Sequence, residues 1–236
     1  MKVLIVVPAY NEEKVLEANI LKILDFCQKN LKADFEIVIV DNQSTDATGQ
    51  IAQRLANQYP AVHYLGIDQK GKGFAIKSGW QSSSADVYCF MDADLATDLS
   101  ALPALVEGIS AGYDLVCGNR FDPQSKIKRS GFRRLVSFVY RRVLKMFLAV
   151  KIDDAPCGFK AVNHQVRVKL LAQVKNQAWF FDSELVILAE KLGYKIKQIP
   201  VTWVEPRTAK DKSRVKVFSL ALNYFREIWR LRKQLP

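Results

Sequence analysis

No stretch of this 236-residue chain stays apolar for the roughly 18 to 20 residues that a bilayer-spanning helix needs. The apolar run at 3–7 gives way at once to Pro8, Asn11, Glu12 and Glu13, where a secretory leader would still be hydrophobic. A spanning helix and a cleaved leader are therefore not expected. Cysteine is sparse: Cys27, Cys89, Cys117 and Cys157 are scattered, with no C-x-x-C spacing, which argues against a zinc site or a disulfide framework and fits a reduced cytoplasm. Histidine is limited to His63 and His164, too isolated to build a catalytic or metal-binding constellation. Internal repeats and low-complexity linkers are also missing, so one catalytic-size domain is expected.

What is present is enough apolar material, 49% of residues, for one sizeable core, with an ordinary 25% of charged residues. Lys and Arg outnumber Asp and Glu by 35 to 24, a formal charge of +11 that calls for an anionic partner. The excess is local. Residues 120–151 hold ten basic residues against the single acid Asp122, while the first 100 residues carry many acids and no basic cluster.

Short β-branched or aromatic runs at 2–7, 35–40, 62–67 and 87–91 alternate with segments of helical apolar spacing. That rhythm predicts an α/β domain with a mainly parallel, Rossmann-like sheet and helices on both faces, and it places ligands at the carboxyl ends of the strands. Further strands are expected at 113–117 and 195–201, a basic amphipathic helix near 131–150, a helix beginning close to Asp182 and a terminal amphipathic helix over 215–231. The terminal stripe would comprise Phe218, Ala221, Leu222, Phe225, Ile228 and Trp229.

Candidate chemistry follows the strands. Asp92-Ala93-Asp94 closes a buried run, where two carboxylates one residue apart suit a shared divalent ion holding phosphate oxygens; the alternative is a solvated acidic turn. Asp41, followed by Asn42, Gln43 and Ser44, is placed to accept from a base or ribose, while Ser44 or Thr45 caps the next helix, with Asp46 assigned to capping. Gly71-Lys72-Gly73 reads as a phosphate-approach loop, or as a plain turn.

In order, VPAYNEE, DNQSTDAT, GKGFAIKSGW, MDADLAT, GNR, DDAPCGFKAV, WFFDSEL and VTWVEP resemble the family-2 glycosyltransferases that charge polyprenyl phosphates, in particular the dolichyl-phosphate glucosyltransferase and mannose synthase group. The resemblance covers roughly 2–215. It implies a GT-A domain over 1–205, and over 206–236 a basic loop and amphipathic helix that associates with a membrane. It implies that Pro8, Ala9, Tyr10, Glu12, Asp41 and Ser44 bind the nucleotide, with Lys72 nearby, that Asp92 and Asp94 hold Mg or Mn, and that Arg207 closes over the diphosphate. Arg120 with Arg133 or Arg134 would grip the acceptor's phosphate. Asp182 of WFFDSEL would orient Arg groups or the sugar for a phosphate acceptor, or serve as base toward a hydroxyl; helix capping is its structural alternative.

The implied reaction is inverting transfer of a hexose from a nucleotide-sugar donor to a polyprenyl-phosphate acceptor. Ala96 stands where many mannose synthases have a metal-binding Gln, and DADLAT looks more like the glucosyltransferase side of the group, which weights the donor toward UDP-glucose over GDP-mannose. Phe132, Leu135, Val136, Val139, Val143, Met146, Phe147 and Val150 form a stripe flanked by Arg133, Arg134, Arg141, Arg142 and Lys145, suited to peripheral contact with an anionic membrane surface at its cytoplasmic face, or else to packing on the sheet. The competing readings are transfer to a glycan or glycolipid hydroxyl, a catalytically silent nucleotide-sugar sensor, and a basic nucleic-acid-binding domain. Nucleic acid is not the expected partner, because the strand-end acids would repel its phosphates unless a metal bridged them.

Overall fold

The computed structural model describes residues 1–205 and 217–235, the side chains of 217–222 excepted. Strands β1 (Lys2–Ala9), β2 (Asp34–Asp41), β3 (Val62–Gly66) and β4 (Val87–Met91) alternate with α1 (Leu16–Asn30), α2 (Thr48–Gln58) and α3 (Lys72–Ser82). There follow α4 (Leu102–Ser110), β5 (Leu115–Asn119), β6 (Lys126–Lys128), α5 (Gly131–Leu148), β7 (Phe159–Asn163), α6 (Phe181–Lys191), β8 (Ile196–Pro200), β9 (Thr202–Val204) and α7 (Val217–Gln234).

Seven strands form one sheet in the order β3-β2-β1-β4-β7-β5-β8. All neighbours pair in parallel except β7, which runs antiparallel between β4 and β5. Every residue of β4 and β5 is buried, so continuous apolar runs, not alternating ones, mark the sheet's centre. The strand expected at 113–117 lies two residues further on, which sets Asn119 and Arg120 at its carboxyl end. Sequence periodicity missed β7, β6 and β9: five residues with a lysine second, and two three-residue strands, are too short to show a period.

Each face of the sheet carries its own core. On one, α1, α2 and α4 insert Ile20, Leu55 and Leu105 among others. On the other, α3 and α6 meet the sheet through Trp80, Phe90 and Phe181, packed edge to face with ring centroids 5.8 to 6.4 Å apart. The Trp80 indole N–H is satisfied by the Cys89 carbonyl at 3.0 Å. All four cysteines are buried and unpaired; burial pushes the thiols of Cys27 and Cys117 up to about 12 and that of Cys157 to about 11, which leaves them protonated and inert.

The two amphipathic helices depart from the expected stripes. In α5, Leu144 and Leu148 enter the core and Val143 and Phe147 pack against it, with Val150 buried just beyond, whereas Phe132, Leu135, Val136, Val139 and Met146 face outward. In α7, Ile228 and Leu231 are buried while Phe225 and Trp229 are about half exposed. Tyr224 decides that orientation: its ring sits 5.3 Å from both Tyr140 and Phe180, turning the 224–228–231 face inward. Among the described residues, no helix is long and apolar enough to cross a membrane.

Candidate active site

The carboxyl ends of β1, β2 and β4 meet along one edge of the sheet. Pro8 and Ala9 close β1 in register with Val40 and Asp41. Beyond them Asn11, Gln43 and Leu95 all take left-handed backbone conformations, with φ of 53°, 58° and 49°. Such strain persists where surrounding structure over-determines it, and it clusters at functional sites. Here the determinants are visible. The Asn11 N–H donates to Ser44 Oγ at 2.9 Å, Thr45 N–H donates to Asn11 Oδ1 at 2.7 Å, and Glu12 N–H donates to Thr48 Oγ1 at 2.7 Å. Ser44 and Thr45 therefore tie the β1 loop to the β2 loop and do not cap α2, correcting the sequence expectation. Asp46, as expected, serves the helix start by accepting from the Thr48 N–H at 3.0 Å.

Asp41 Oδ1 accepts from Ser44 N–H at 3.0 Å, and Gly49 keeps its other oxygen clear: a β-carbon there would lie 2.7 Å from Asp41 Oδ2. Across the cleft, the Lys70 ammonium donates to Tyr10 Oη at 3.2 Å and lies 4.9 Å from the ring centroid. Gly71, at φ 155°, turns the chain into α3 while its N–H donates to Asn42 Oδ1 at 2.8 Å. Gly71-Lys72-Gly73 is thus the start of a helix, and Lys72 is its first residue.

Lys72 is nine-tenths buried and bridges two carboxylates, Asp92 Oδ1 at 2.6 Å and Asp182 Oδ2 at 2.9 Å. Burial opposes its charge, but Asp182 and then Asp92 outweigh that and hold the ammonium above its ordinary pKa. Asp182 lies in the first turn of α6 without capping it; its second oxygen faces Lys160 Nζ at 3.9 Å. Lys160 itself is fully buried in β7 and donates to the Cys157 carbonyl. Asp92, directly after β4, needs Gly158 opposite: a β-carbon there would come within 2.1 Å of Asp92 Oδ2. Asp94 accepts from the Ala96 N–H at 3.1 Å, and the buried Asn19 amide fixes the intervening Ala93 carbonyl at 2.8 Å.

The donor set at this loop fits a hard divalent ion. Asp92 and Asp94 supply carboxylate oxygens, and no group of three His, Cys, Asp or Glu is placed to hold a metal ion among the described residues, so further ligands would come from phosphate oxygens or water.

Arg120 follows β5 and is committed to Asp154: Nε and Nη2 donate to its two oxygens at 2.8 Å each, and the Arg120 N–H adds a third bond at 2.8 Å. Asp154 has no exposed surface; burial raises its pKa, but Arg120 overrides that and holds the carboxyl below its usual range. Arg133 pairs with Glu205, and Arg134 donates to the Ile127 carbonyl at 3.0 Å. Of the other basic residues flanking the α5 stripe, Arg141 and Lys145 share Asp153, so those charges are not merely solvated. Strand β9 ties this region to the acid loop, since Asp98 N–H donates to the Thr202 carbonyl and Val204 N–H to the Ala96 carbonyl, both at 2.9 Å.

Asp154 and Lys160 belong to the DDAPCGFKAV motif, where a charge inside an apolar run was the available signal; Trp203 belongs to VTWVEP and Arg129 to the basic cluster, but nothing in the sequence pairs the two. Arg207 lies outside the described residues, as does most of the loop expected at its position.

Residues 4–171 match the profile of glycosyl transferase family 2. The chain is 32% identical to Glycosyltransferase AglD of Haloferax volcanii over 88% of its own length and 34% of that protein. It is 31% identical to the Dolichyl-phosphate beta-glucosyltransferase of Mus musculus, covering 85% and 67% of the two chains, and 31% identical to the Dolichol-phosphate mannosyltransferase of Pyrococcus furiosus, covering 99% and 64%. It thus spans about a third of the first relative's length and about two thirds of the others'. Among solved structures, glucosyl-3-phosphoglycerate synthase from Mycobacterium tuberculosis, in complex with Mn2+, uridine diphosphate and glucosyl-3-phosphoglycerate, matches 100% of this chain and 81% of its own with a TM-score of 0.71 at 19% identity, a likeness of fold. A mainly parallel sheet with its acids at the strand ends, a family profile over most of the chain and relatives at this identity lead to one assignment: the chain belongs to glycosyl transferase family 2 and has the GT-A fold.

Proposed function

We propose that this chain is a hexosyltransferase that moves a hexose from a nucleotide-diphosphate sugar, UDP-glucose in preference to GDP-mannose, to a polyprenyl phosphate of the dolichyl type, while bound peripherally at the cytoplasmic face of a membrane. The observation that carries the choice of acceptor is the commitment of Asp182, whose two oxygens face Lys72 and Lys160. With Oδ2 bonded to Lys72 and Oδ1 buried toward Lys160, neither oxygen is presented to an acceptor hydroxyl. A phosphate acceptor is already anionic near neutral pH and needs positioning instead.

In this reading an acceptor phosphate oxygen attacks the anomeric carbon from the side opposite the nucleotide, the bond to the donor's diphosphate breaks, and configuration inverts. Pro8, Ala9, Tyr10, Glu12, Asp41 and Ser44 hold the nucleoside, and Asp182 orients Lys72, whose ammonium offsets charge on the departing diphosphate. Asp92 and Asp94 would hold Mg2+ or Mn2+, which when bound adds Lewis-acid stabilisation of the same leaving group. Arg133 and the Arg120-Asp154 pair bias the acceptor side toward a phosphate, and Arg207 would close over the diphosphate.

The preference for glucose rests on Ala96, which leaves no side-chain ligand two residues beyond Asp94, and on relatives named for glucosyl transfer to dolichyl phosphate. Membrane contact is supported by the outward apolar residues of α5, with Phe132 and Met146 at 66% and 72% exposure. The test is transfer of radiolabelled sugar from a panel of UDP- and GDP-sugars to polyprenyl phosphate in liposomes, with Mg2+ or Mn2+ and an EDTA control. Metal-dependent labelling of the lipid is expected. Donor hydrolysis without lipid product would redirect the reading to a hydroxyl acceptor.

A further inference from the structure

We propose that Arg129, between β6 and α5, is a ligand of the acceptor's phosphate group, its terminal guanidinium N–H groups taking phosphate oxygens. This deepens the reading above and rests on it.

Among the described residues, Arg129 is a partly buried cation with no carboxylate paired to it. Its Nη1 donates to Ser137 Oγ at 2.6 Å, while its Nε is buried with no hydrogen-bond partner. No carboxylate pairs with it among the described residues; the two nearest candidates are taken, Asp154 by Arg120 and Glu205 by Arg133. Its guanidinium carbon lies 5.1 Å from the centroid of the Trp203 ring, and that of Arg120 lies 5.7 Å from the same centroid. Burial, followed by repulsion from Arg120, lowers its pKa to about 10. A partly buried charge with no carboxylate beside it costs stability, and an anion on the terminal N–H groups would offset that cost.

Position identifies the anion. Trp203 sits in β9, whose neighbours Thr202 and Val204 are hydrogen-bonded to Asp98 and Ala96 of the acid loop. An anion on Arg129 is thereby tied to the strand that borders the metal-type carboxylates, while Lys72 and Asp41, assigned to the donor, lie on α3 and β2. The chemistry that fits is a phosphate monoester, whose terminal oxygens match a planar fork of two N–H groups. Arg120 differs: its fork is spent on Asp154, so it is a positioning residue that fixes Trp203 and the local positive field.

The probe is farnesyl monophosphate, titrated into the full chain by calorimetry, with farnesol as the uncharged control and UDP or GDP with Mg2+ as a check on the donor side. Wild type is expected to bind farnesyl monophosphate and to release it to inorganic phosphate. Arg129→Gln should weaken it about tenfold or more, the usual worth of a charge-assisted bond, with nucleotide affinity unchanged. Arg129→Lys, a point charge without the fork, should recover part of the loss. Equal farnesyl monophosphate affinity in wild type and Arg129→Gln would overturn the inference and leave the acceptor reading standing. If wild type binds nucleotide but not farnesyl monophosphate, the lipid-phosphate reading falls and this inference with it. Should Arg129→Gln lose nucleotide binding as well, Arg129→Lys decides: affinity equal to wild type would overturn the fork.

Discussion

Asp92 and Asp94 are one residue apart, yet their surroundings differ. Asp92 is drawn toward Lys72, whereas Asp94 holds its own loop through the Ala96 N–H. Asp94→Ala removes a carboxylate from the donor set without touching the sheet, so transfer should fall by about a thousandfold or more while near-ultraviolet circular dichroism stays that of wild type. Unchanged turnover would remove Asp94 from the reaction. Asp154 is of a different kind: it is wholly buried and faces Arg120. Asp154→Asn leaves that guanidinium uncompensated and should cost about 3 to 5 kcal/mol in urea unfolding. The pH dependence follows from the depressed carboxyl. Its stabilisation is fully present above the ordinary carboxyl value of 3.8 and is lost as pH falls through the lower folded value. The gap in urea midpoint between wild type and Asp154→Asn should therefore stay constant from about pH 8 to about pH 5 and narrow below 3.8.

At the scale of elements, α5 is half core and half surface. Leu144 and Leu148 anchor one end, leaving Phe132, Leu135, Val139 and Met146 outward beside Arg134 and Arg142, which have no carboxylate partner among the described residues. Replacing Phe132 and Met146 together by Glu should leave stability within about 0.5 kcal/mol and reduce co-sedimentation with anionic vesicles by about tenfold or more. Unaltered co-sedimentation would locate membrane contact elsewhere. The elements also show what was legible in advance. Strands β1, β2 and β4 were readable because parallel strands buried on both faces are written as largely continuous apolar runs, and Asp41 and Asp92 then fall at the ends of β2 and β4. β7 was not, since Lys160 interrupts a five-residue strand; the cation is explained by Asp182, a partner distant in sequence. The same blindness hid the pairing of Arg129 with Trp203, whose meaning is relational. Helix α5 was legible as an amphipathic helix, but which part of its stripe would be covered depended on where α7 lands. The capping role given to Ser44 and Thr45 failed because Asn11, some thirty residues earlier, claims both hydroxyls.

For the whole molecule, the division of charge seen in composition becomes a division of labour across the sheet: carboxylates line the edge formed by β1, β2 and β4, and the basic residues gather around β6, β9 and α5. The antiparallel strand β7 joins the two regions, and it has a consequence for how the chain is made. During synthesis β1 to β4 can pair among themselves as they emerge, but β5 finds no neighbour, because both strands that flank it, β7 and β8, come later. The inner edge of β4 stays uncovered until residue 159 has been added, roughly seventy residues after that strand ends. Nascent chains arrested before that point should be cleaved readily by protease after β4, and protection of β5 should arrive together with β7. The strand that closes the sheet thus sets the length at which the growing polypeptide ceases to present a sticky edge to its surroundings.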